Sequence, residues 1–350
     1  MTHRIAKSLS ALFVAGIAAT PLYALGIQDG FVTEEIVVTP ENFKTAATHW
    51  EFTKYLPKTG GVNKFGHIRA PYPVDVKATV RPNRDTLYSI AIIDISEGAT
   101  LNIPEMGDRY VSAMVVNEDH YVNEVYLGGG EFPLTKEIFD TDYVILVMRT
   151  LVDSSDPEDV AAVNALQDQY KITANSAKPF IVPNYNRDSF KEVLELGLEV
   201  GRYLPDARAT FGSKDQVDSL RHFAGTAYGW GGLPEDQAFY LNIEPGLPVG
   251  EYKIEVPAEV PVGQFWSVTV YDAQGFFAVN DLNSYSINSI TGDRNEDGTM
   301  TVHLGGCEDG RVNCVPIVEG WNYIVRQYEP DEAILDGSWT FPNVETLATN

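Results

Sequence analysis

Two blocks of short strand-like runs, with a helical stretch between them, constrain this chain more than any other feature of its sequence. Residues 86–95, 109–117, 121–127 and 143–151 are apolar or alternating runs separated by Gly, Pro, Asp and Asn. Similar runs, EYKIEVP, QFWSVTVYD, TMTVHL and NYIVRQYE, follow residue 243. Because runs of this kind bounded by turn residues are typical of β-strands, the sequence predicts a mainly β protein with two β units.

Helical patterns precede the first block and separate it from the second. Thr39-Pro40-Glu41 predicts the start of a helix with Thr39 as its cap. Asp156-Pro157-Glu158 and Ser189-x-x-Glu192 predict two more helix starts, and residues 213–232 continue the helical pattern. We therefore predict a β unit over residues 35–153, a helical bridge over 154–243 and a second β unit over 244–345.

Two glycines lie on the apolar stripe of the helix predicted from Ser189. Gly197 and Gly201 recur there at helical spacing. Because Gly inside a helix costs stability, their position indicates that another element approaches this helix closely.

The N-terminus has the layout of a secretory signal peptide. Arg4 and Lys7 precede the apolar stretch ALFVAGIAAT, and small residues follow to Ala24. No later stretch reaches the roughly 18 apolar residues that a membrane helix needs. We expect residues 1–24 to be removed and the mature chain to be exported to the periplasm or the extracellular space, without stable membrane insertion.

The chain is strongly acidic, with a formal net charge of −24. A surface of this charge repels nucleic acid and anionic membranes, and it disfavours phosphate-rich substrates. The expected partner is therefore a small-molecule or carbohydrate-like ligand. The sequence specifies no oligomeric state.

The two cysteines, Cys307 and Cys314, lie close together in the segment GGCEDGRVNCVP. In an exported protein this spacing indicates a local disulfide. A metal or redox pair is the alternative, but there is no CxxC motif and only His303 is near. We expect no cofactor and no metal site.

The segment TGDRNEDGTMTVHL, residues 291–304, is similar to the first half of an EF-hand loop. Asp293, Asn295 and Asp297 alternate before Gly298, but Leu304 stands where such a loop needs a Glu. Asp and Gly tolerate positive φ, so a hairpin-type turn that leads into a strand is the better interpretation.

A polar cluster, VRPNRDTLYS at residues 80–89, stands at the start of an apolar strand. In a functional interpretation Arg84 binds an anion, Asp85 acts as a base or ligand, and Tyr88 donates a hydrogen bond. Asn83 is then a candidate ligand contact. In a structural interpretation a buried Arg–Asp pair and turn capping explain the same residues.

A second polar cluster, NEDHYVNE, occupies residues 117–124 between two predicted strands. His120 is the candidate general acid or base, because the adjacent carboxylate of Asp119 can raise its pKa and fix its tautomer. Tyr121 is a candidate ligand contact. The alternative is a solvated loop with no chemical role.

Several common catalytic motifs are absent from the sequence. There is no GxSxG motif, no HExxH motif, no nucleotide-binding glycine fingerprint and no thiol nucleophile. An enzyme with this sequence would have to assemble its groups from distant segments.

Segments along most of the chain resemble two families that occur together. RPNRDTLYSIAIIDIS, GDRYVSAMVVNEDHY, DTDYVILVMRTLVD, FWSVTVYDAQGFFAVNDLNSYSI and LDGSWTFP occur in the expected order. They resemble the domain of unknown function numbered 1254, at the N-terminus, and the one numbered 1214, at the C-terminus. The resemblance covers residues 37–345.

This resemblance implies two β-sandwich domains, the second jelly-roll-like, joined by helices in an exported bacterial protein. It implies no established reaction and no catalytic residues. Asn280 and Tyr285 match family motifs in the second domain and are candidate ligand contacts there.

The leading functional expectation is a small or extended ligand, carbohydrate-like or apolar, bound in a cleft between the two β domains. One alternative is a hydrolase or lyase that uses His120 with Asp119, or Asp85 with Arg84 and Tyr88. Another is a structural or assembly protein of the cell envelope.

Overall fold

The structure is a computed structural model that describes residues 34–204 and 206–347. The predicted signal peptide, residues 1–24, lies outside these ranges. The described chain is mainly β, as the sequence predicts. Its strands form four sheets. In the same two ranges, no helix combines the length and the apolar character needed to cross a membrane.

The N-terminal β region, residues 66–174, contains eight strands. They are β1 Gly66–His67, β2 Thr86–Asp94, β3 Ala99–Ile103, β4 Val111–Asn117, β5 Val122–Leu127, β6 Gly130–Leu134, β7 Tyr143–Leu151 and β8 Lys171–Ala174. An antiparallel sheet has the order β1-β2-β7-β4-β5, and a smaller one has the order β6-β3-β8. Strands β2, β4, β5 and β7 confirm the predicted runs.

Strand β2 is buried on both faces. Ala91 and Ile93 pack into a core that the two N-terminal sheets share. Ile90 and Ile92 pack on the opposite side, in a cluster that includes Phe52. Burial on both faces explains why this strand is a nearly continuous apolar run in the sequence.

Six α-helices complete the described fold. They are α1 Phe43–Thr59, α2 Lys136–Phe139, α3 Pro157–Gln167, α4 Arg187–Gly201, α5 Ser219–Gly229 and α6 Glu332–Leu335. Helices α1, α4 and α5 pack together around Phe43, Phe190 and Ala227. A β-carbon added at Gly197 would lie 2.7 Å from the Cβ of Ala227, which confirms the predicted close approach to α4.

Two helices begin at other residues than predicted. Helix α1 begins at Phe43, with Asn42 at the cap position; the Oδ1 of Asn42 does not cap the helix but accepts a hydrogen bond from the backbone N–H of Thr39, which precedes it. In α4, Asn186 is the cap and accepts the N–H of Ser189, so Ser189 lies inside the first turn. The predicted start of α3 is confirmed, since Asp156 accepts the N–H of Glu158.

The C-terminal β region, residues 238–346, also contains eight strands. They are β9 Ala238–Ile243, β10 Tyr252–Val256, β11 Trp266–Tyr271, β12 Ser286–Asn288, β13 Met300–Leu304, β14 Cys314–Val315, β15 Asn322–Tyr328 and β16 Glu345–Thr346. They form two sheets, in the orders β14-β13-β10-β16 and β12-β11-β15-β9. Strands β10, β11, β13 and β15 confirm the predicted runs.

The two C-terminal sheets share one apolar core, and strand β11 shows how the sequence builds it. Trp266, Val268 and Val270 pack into this core. Ser267 and Thr269 lie on the opposite face, as period-two alternation predicts. That polar face of the sheet β12-β11-β15-β9 contacts the N-terminal β region, because Ser267 donates a hydrogen bond to Asp85.

The segment 291–304 contains the predicted turn but not a hairpin. Gly298 has a φ of +85°, and β13 follows directly. Strand β13 pairs with β10 and β14 instead of the preceding β12, so the turn connects two different sheets. Further along the chain, Cys307 and Cys314 form the predicted disulfide.

Two strands inside the predicted helical bridge have no counterpart among the sequence-based predictions. Strand β8 pairs with β3, and β9 pairs with β15. Both β regions therefore reach into the segment between them. Strand β8 has only four residues, too few for a period-two pattern to identify it.

Candidate functional site

The cluster at residues 80–89 lies at the junction of the two β regions. Asp85 is 2% exposed, and its carboxylate accepts hydrogen bonds from Ser267 at 2.6 Å and Ser286 at 2.9 Å. The side chain of Asn83 donates to the hydroxyl of Tyr328 at 2.9 Å. The start of β2 is thereby bonded to the polar face of the sheet that contains β11, β12 and β15.

Arg326 is the positive charge nearest to this contact. Its guanidinium donates to Thr269, to the hydroxyl of Tyr271 and to the carbonyl of Arg81. Burial disfavours the charged guanidinium, but Tyr271, Tyr328 and Asp85 more than offset this effect and raise the pKa of Arg326. Asp85 thus supplies a negative charge for a buried arginine of the other β region.

Arg149 lies in the middle of β7, on the face of the sheet that looks towards the C-terminal β region. It stands directly opposite Tyr88 in β2 and Ser112 in β4. Its guanidinium carbon lies 5.5 Å from the ring centre of Tyr88, and Nη2 is 3.5 Å from the carbonyl of Gly231. The Nη1 atom is buried and has no hydrogen-bond partner among the described residues.

Four tyrosines surround this guanidinium. Burial opposes its charge, but Tyr88, Tyr240, Tyr110 and Tyr328 outweigh that effect and raise the pKa of Arg149. Burial also raises the pKa values of Tyr110, Tyr240 and Tyr328, so their phenols stay protonated and can donate hydrogen bonds. We call Arg149 and these four tyrosines the Arg149 cluster.

A cleft of about 360 Å³ opens beside the Arg149 cluster, between the two β regions. Arg109, Tyr110 and Leu151 line its N-terminal side, and Gln264, Phe265 and Ile290 line its C-terminal side. Phe265 stacks on Tyr328 with 4.1 Å between ring centres and contacts Tyr110 edge-on at 5.3 Å. Tyr110 thus belongs both to the wall of this junction cleft, defined by these lining residues, and to the Arg149 cluster.

Arg84 points away from Asp85 and lies in a separate aromatic group. It donates to the carbonyl of Tyr72, and its guanidinium lies 5.3 Å from the ring centre of Tyr285. Burial lowers the pKa of Arg84. Asn280 hydrogen-bonds to the backbone of Ser284 in both directions and so shapes the loop before Tyr285.

His120 is 1% exposed and uses both ring nitrogens. The backbone N–H of Gly231 donates to Nε2 at 2.9 Å. The hydroxyl of Thr226 already donates to the carbonyl of His222, so it accepts from the Nδ1–H of His120 at 2.7 Å. Burial, with a contribution from His222, lowers the pKa of His120 well below its usual range, and the ring is neutral.

The other two predicted residues of this loop contact helix α1. Asp119 accepts a hydrogen bond from Thr45, and the hydroxyl of Tyr121 accepts one from Lys44. Tyr121 also stacks on His222 with 4.8 Å between ring centres. The carboxylate of Asp119 therefore points to α1, while the ring of His120 points to α5.

The predicted residues thus form three groups. Asn83, Asp85 and Tyr88 meet at the junction, Arg84 lies with Tyr285 and Asn280, and His120, Asp119 and Tyr121 lie against helices α1 and α5. The Gly231 peptide connects the first and third groups, because its N–H bonds to His120 and its carbonyl faces Arg149.

Sequence reasoning did not identify Arg149, Tyr110, Tyr240, Tyr328 or Arg326. A signal was present in two cases, since Arg149 interrupts the apolar run YVILVMRTL and Arg326 interrupts NYIVRQY. A charged residue inside a buried strand requires a partner, and this makes it a candidate site residue.

Two protein-family models match the chain. The model "Protein of unknown function (DUF1254)" matches residues 62–132, and "Protein of unknown function (DUF1214)" matches residues 247–332. No curated protein matches the chain in sequence. The first family match includes β2, β4 and β5, and the second includes β10, β11, β13 and β15.

One solved structure shares the fold, and a second aligns more weakly. The crystal structure of the VPA0106 protein from Vibrio parahaemolyticus aligns with a TM-score of 0.69 at 20% identity, over 88% of this chain and 98% of that one. A putative uncharacterized protein from Burkholderia cenocepacia aligns with a TM-score of 0.48 at 12% identity, over 87% and 88% of the two chains. The two family matches confirm the resemblance seen in the sequence motifs: the DUF1254 match lies N-terminal to the DUF1214 match, in the expected order.

Proposed function

We propose that this protein binds a small molecule at the junction of its two β regions. The observation that carries the proposal is the junction cleft, which both β regions line and whose wall includes the buried rings of Tyr110 and Phe265. Its volume of about 360 Å³ is in the usual range for small-molecule sites.

The location and the finer architecture are part of the same proposal. The disulfide Cys307–Cys314 supports export to an oxidising compartment, the periplasm or the extracellular space. In each β region two sheets share a core, which supports β-sandwich domains, the second jelly-roll-like. A carbohydrate-like or apolar ligand would suit the aromatic walls of the cleft.

A thermal-shift screen tests the binding proposal, because a ligand that binds only the native state must raise its apparent stability. The screen uses the mature protein against sugars, fatty acids, small aromatic acids and their neutral derivatives. We expect at least one compound class to raise the midpoint of unfolding in proportion to the logarithm of its concentration.

Two matched variants locate the binding. Ile290, 56% exposed, lines the cleft, and Leu282, 53% exposed, is not among its lining residues. Ile290→Trp partly fills the cleft and should abolish the shift, whereas Leu282→Trp should keep it. A flat screen, or a shift that survives Ile290→Trp, would contradict binding in the cleft.

An enzyme that uses Asp85, Arg84 and Tyr88, or His120 and Asp119, stays the alternative. The hydrogen bonds of Asp85 and His120 described above do not favour it over binding. Product formation from small esters added to the screen, lost in Asp85→Asn under conditions in which that variant is still folded, would favour it.

A further inference from the structure

The junction contains more buried positive than negative charge, in a chain that is acidic overall. Among the described residues, the buried arginines are Arg81, Arg84, Arg149 and Arg326, and all lie at or beside the junction. The buried carboxylates are Asp85 and Asp94. Asp94 lies elsewhere and accepts hydrogen bonds from Ser96, Ser176 and Lys178. The protein therefore concentrates positive charge where the two β regions meet.

Three of these arginines have built partners. Arg81 donates to Asn242, Asn322 and Glu244. Arg326 has the three oxygen partners described above and the nearby charge of Asp85. Arg84 donates to backbone carbonyls and lies against aromatic rings, although its Nε has no partner among the described residues. The structure thus satisfies these charges largely from within.

Arg149 differs from the other three. It is 7% exposed, its one hydrogen bond is a 3.5 Å contact to the Gly231 carbonyl, and it forms no ion pair with any described residue. With no carboxylate beside it among the described residues and a buried Nη1 donor left open, this guanidinium is complementary to an anion.

The neighbours of Arg149 are donors as well. The phenols of Tyr110, Tyr240 and Tyr328 are protonated because burial raises their pKa values. Thr86, on the same face of β2, has a buried hydroxyl without a partner among the described residues. Thr86 pairs with Leu151, and this pair is the next one on the same face of the sheet after the pair of Tyr88 and Arg149. A ligand group that meets this surface must accept several hydrogen bonds at once.

We propose that Arg149 binds the carboxylate of a small organic acid whose apolar part lies in the junction cleft; this rests on the proposed function. The planar guanidinium fork matches a carboxylate in two parallel hydrogen bonds. The rings of Tyr110 and Phe265 and the side chains of Leu151 and Ile290 offer the apolar contact for the rest of the molecule.

Matched pairs of acids and amides test this inference by calorimetric titration of the mature protein. Benzoate is compared with benzamide and octanoate with octanamide, with inorganic phosphate and sulfate as further probes. We expect at least one acid to bind at least about 10-fold more tightly than its amide, since the amide lacks the charge and one acceptor.

Variants at Arg149 identify the anchor. Arg149→Met should weaken binding of the acid about 100-fold and leave the amide unchanged, and Arg149→Lys should weaken it about 10-fold because the lysine ammonium lacks the fork. Arg311→Met is the control, since Arg311 pairs with Asp309 and Glu251 far along the chain from this cluster.

The outcomes separate this inference from the proposed function. Equal binding of acid and amide, with both lost in Ile290→Trp, would overturn the carboxylate anchor and keep the cleft. Binding of phosphate or sulfate in place of the acids would overturn the ligand class. A large loss of stability in Arg149→Met with unchanged acid binding would show that Arg149 is structural. If that variant does not fold, the comparison of acid with amide in the wild type decides.

Discussion

Buried ionisable residues in this protein differ in how completely their polar atoms are bonded. Both ring nitrogens of His120 and both carboxylate oxygens of Asp85 have partners. Arg149 leaves Nη1 without one among the described residues. Satisfied buried groups hold a fold together, whereas an unsatisfied group costs free energy unless something outside the chain completes it. By this criterion His120 and Asp85 support the structure of the site, whereas Arg149 is the residue proposed to bind the ligand.

The neutral state of His120 predicts a specific pH dependence. In the unfolded chain this histidine titrates near pH 6.5, while burial keeps the native ring neutral well below that pH. Below pH 6.5 only the unfolded chain gains the proton, so the free energy of unfolding falls by up to about 1.4 kcal/mol per pH unit. Between pH 7 and pH 5, His120→Asn should therefore lose about 2 kcal/mol less stability than the wild type.

Urea unfolding at several pH values measures this difference. Asn is chosen because it tolerates the φ of +65° at this position. At pH 7 the variant should be less stable than the wild type by about 2 kcal/mol, since a buried N–H of Gly231 loses its acceptor. The same pH slope in both proteins would show that His120 is protonated in the native state and contradict the proposed tautomer.

At the scale of secondary-structure elements, the central strands β2 and β7 position most of the residues of the site. Strands β2 and β7 pair over nine residues and set Tyr88 opposite Arg149. The turn after α5 brings the Gly231 peptide between His120 and Arg149. The position of this turn depends on how α5 packs against α1 and α4.

The sequence could predict the long strands and the helices because their periodicity is local. It could not predict the site, since the residues that meet there lie far apart, with Asp85 and Ser267 separated by 182 positions. The cap of α4 was misassigned because Asn186 and Ser189 both have side chains that can cap a helix, and only packing decides between them. Arg149 is recognisable as a candidate site residue only in the fold, because the register with β2 sets it opposite Tyr88 and because β15 brings Tyr328 close to it.

The contact between α4 and α5 predicts that a methyl group at Gly197 is harmful. Alanine improves intrinsic helix stability by about 1 kcal/mol, but its β-carbon would lie 2.7 Å from that of Ala227. Relieving this overlap costs about 1–3 kcal/mol, which exceeds the gain over most of that range, so Gly197→Ala should lower the free energy of unfolding by up to about 2 kcal/mol.

A double-mutant cycle isolates the overlap. Ala227→Gly removes the opposing methyl group, so the two substitutions together should be less harmful than the sum of the single changes by about 1 kcal/mol or more. The cycle is measured by urea unfolding. Additive effects would show that the two helices can move apart freely.

At the scale of the whole molecule, the two β regions are connected by buried polar contacts as well as by apolar ones. The hydroxyl of Tyr271 donates to the carbonyl of Pro82, and Asn83 bonds to Tyr328. Asp85 bonds to β11 and β12 and offsets the charge of Arg326. Because these contacts require both regions at once, we expect the two regions to unfold together.

Asp85→Asn should uncouple the two β regions. It removes the charge that offsets Arg326 across the junction, and leaving a buried charge without its counterpart costs about 3 kcal/mol. Trp266, Trp321 and Trp339 make tryptophan fluorescence report mainly on the C-terminal region, whereas far-ultraviolet circular dichroism reports on both. We expect the two signals to give one transition in the wild type and separate transitions in Asp85→Asn.

Asp94→Asn is the matched control, because Asp94 is equally buried but its carboxylate bonds only to Ser96, Ser176 and Lys178. This variant should lower stability while the two transitions stay coincident. Coincident transitions in Asp85→Asn would mean that the apolar contacts alone couple the two regions.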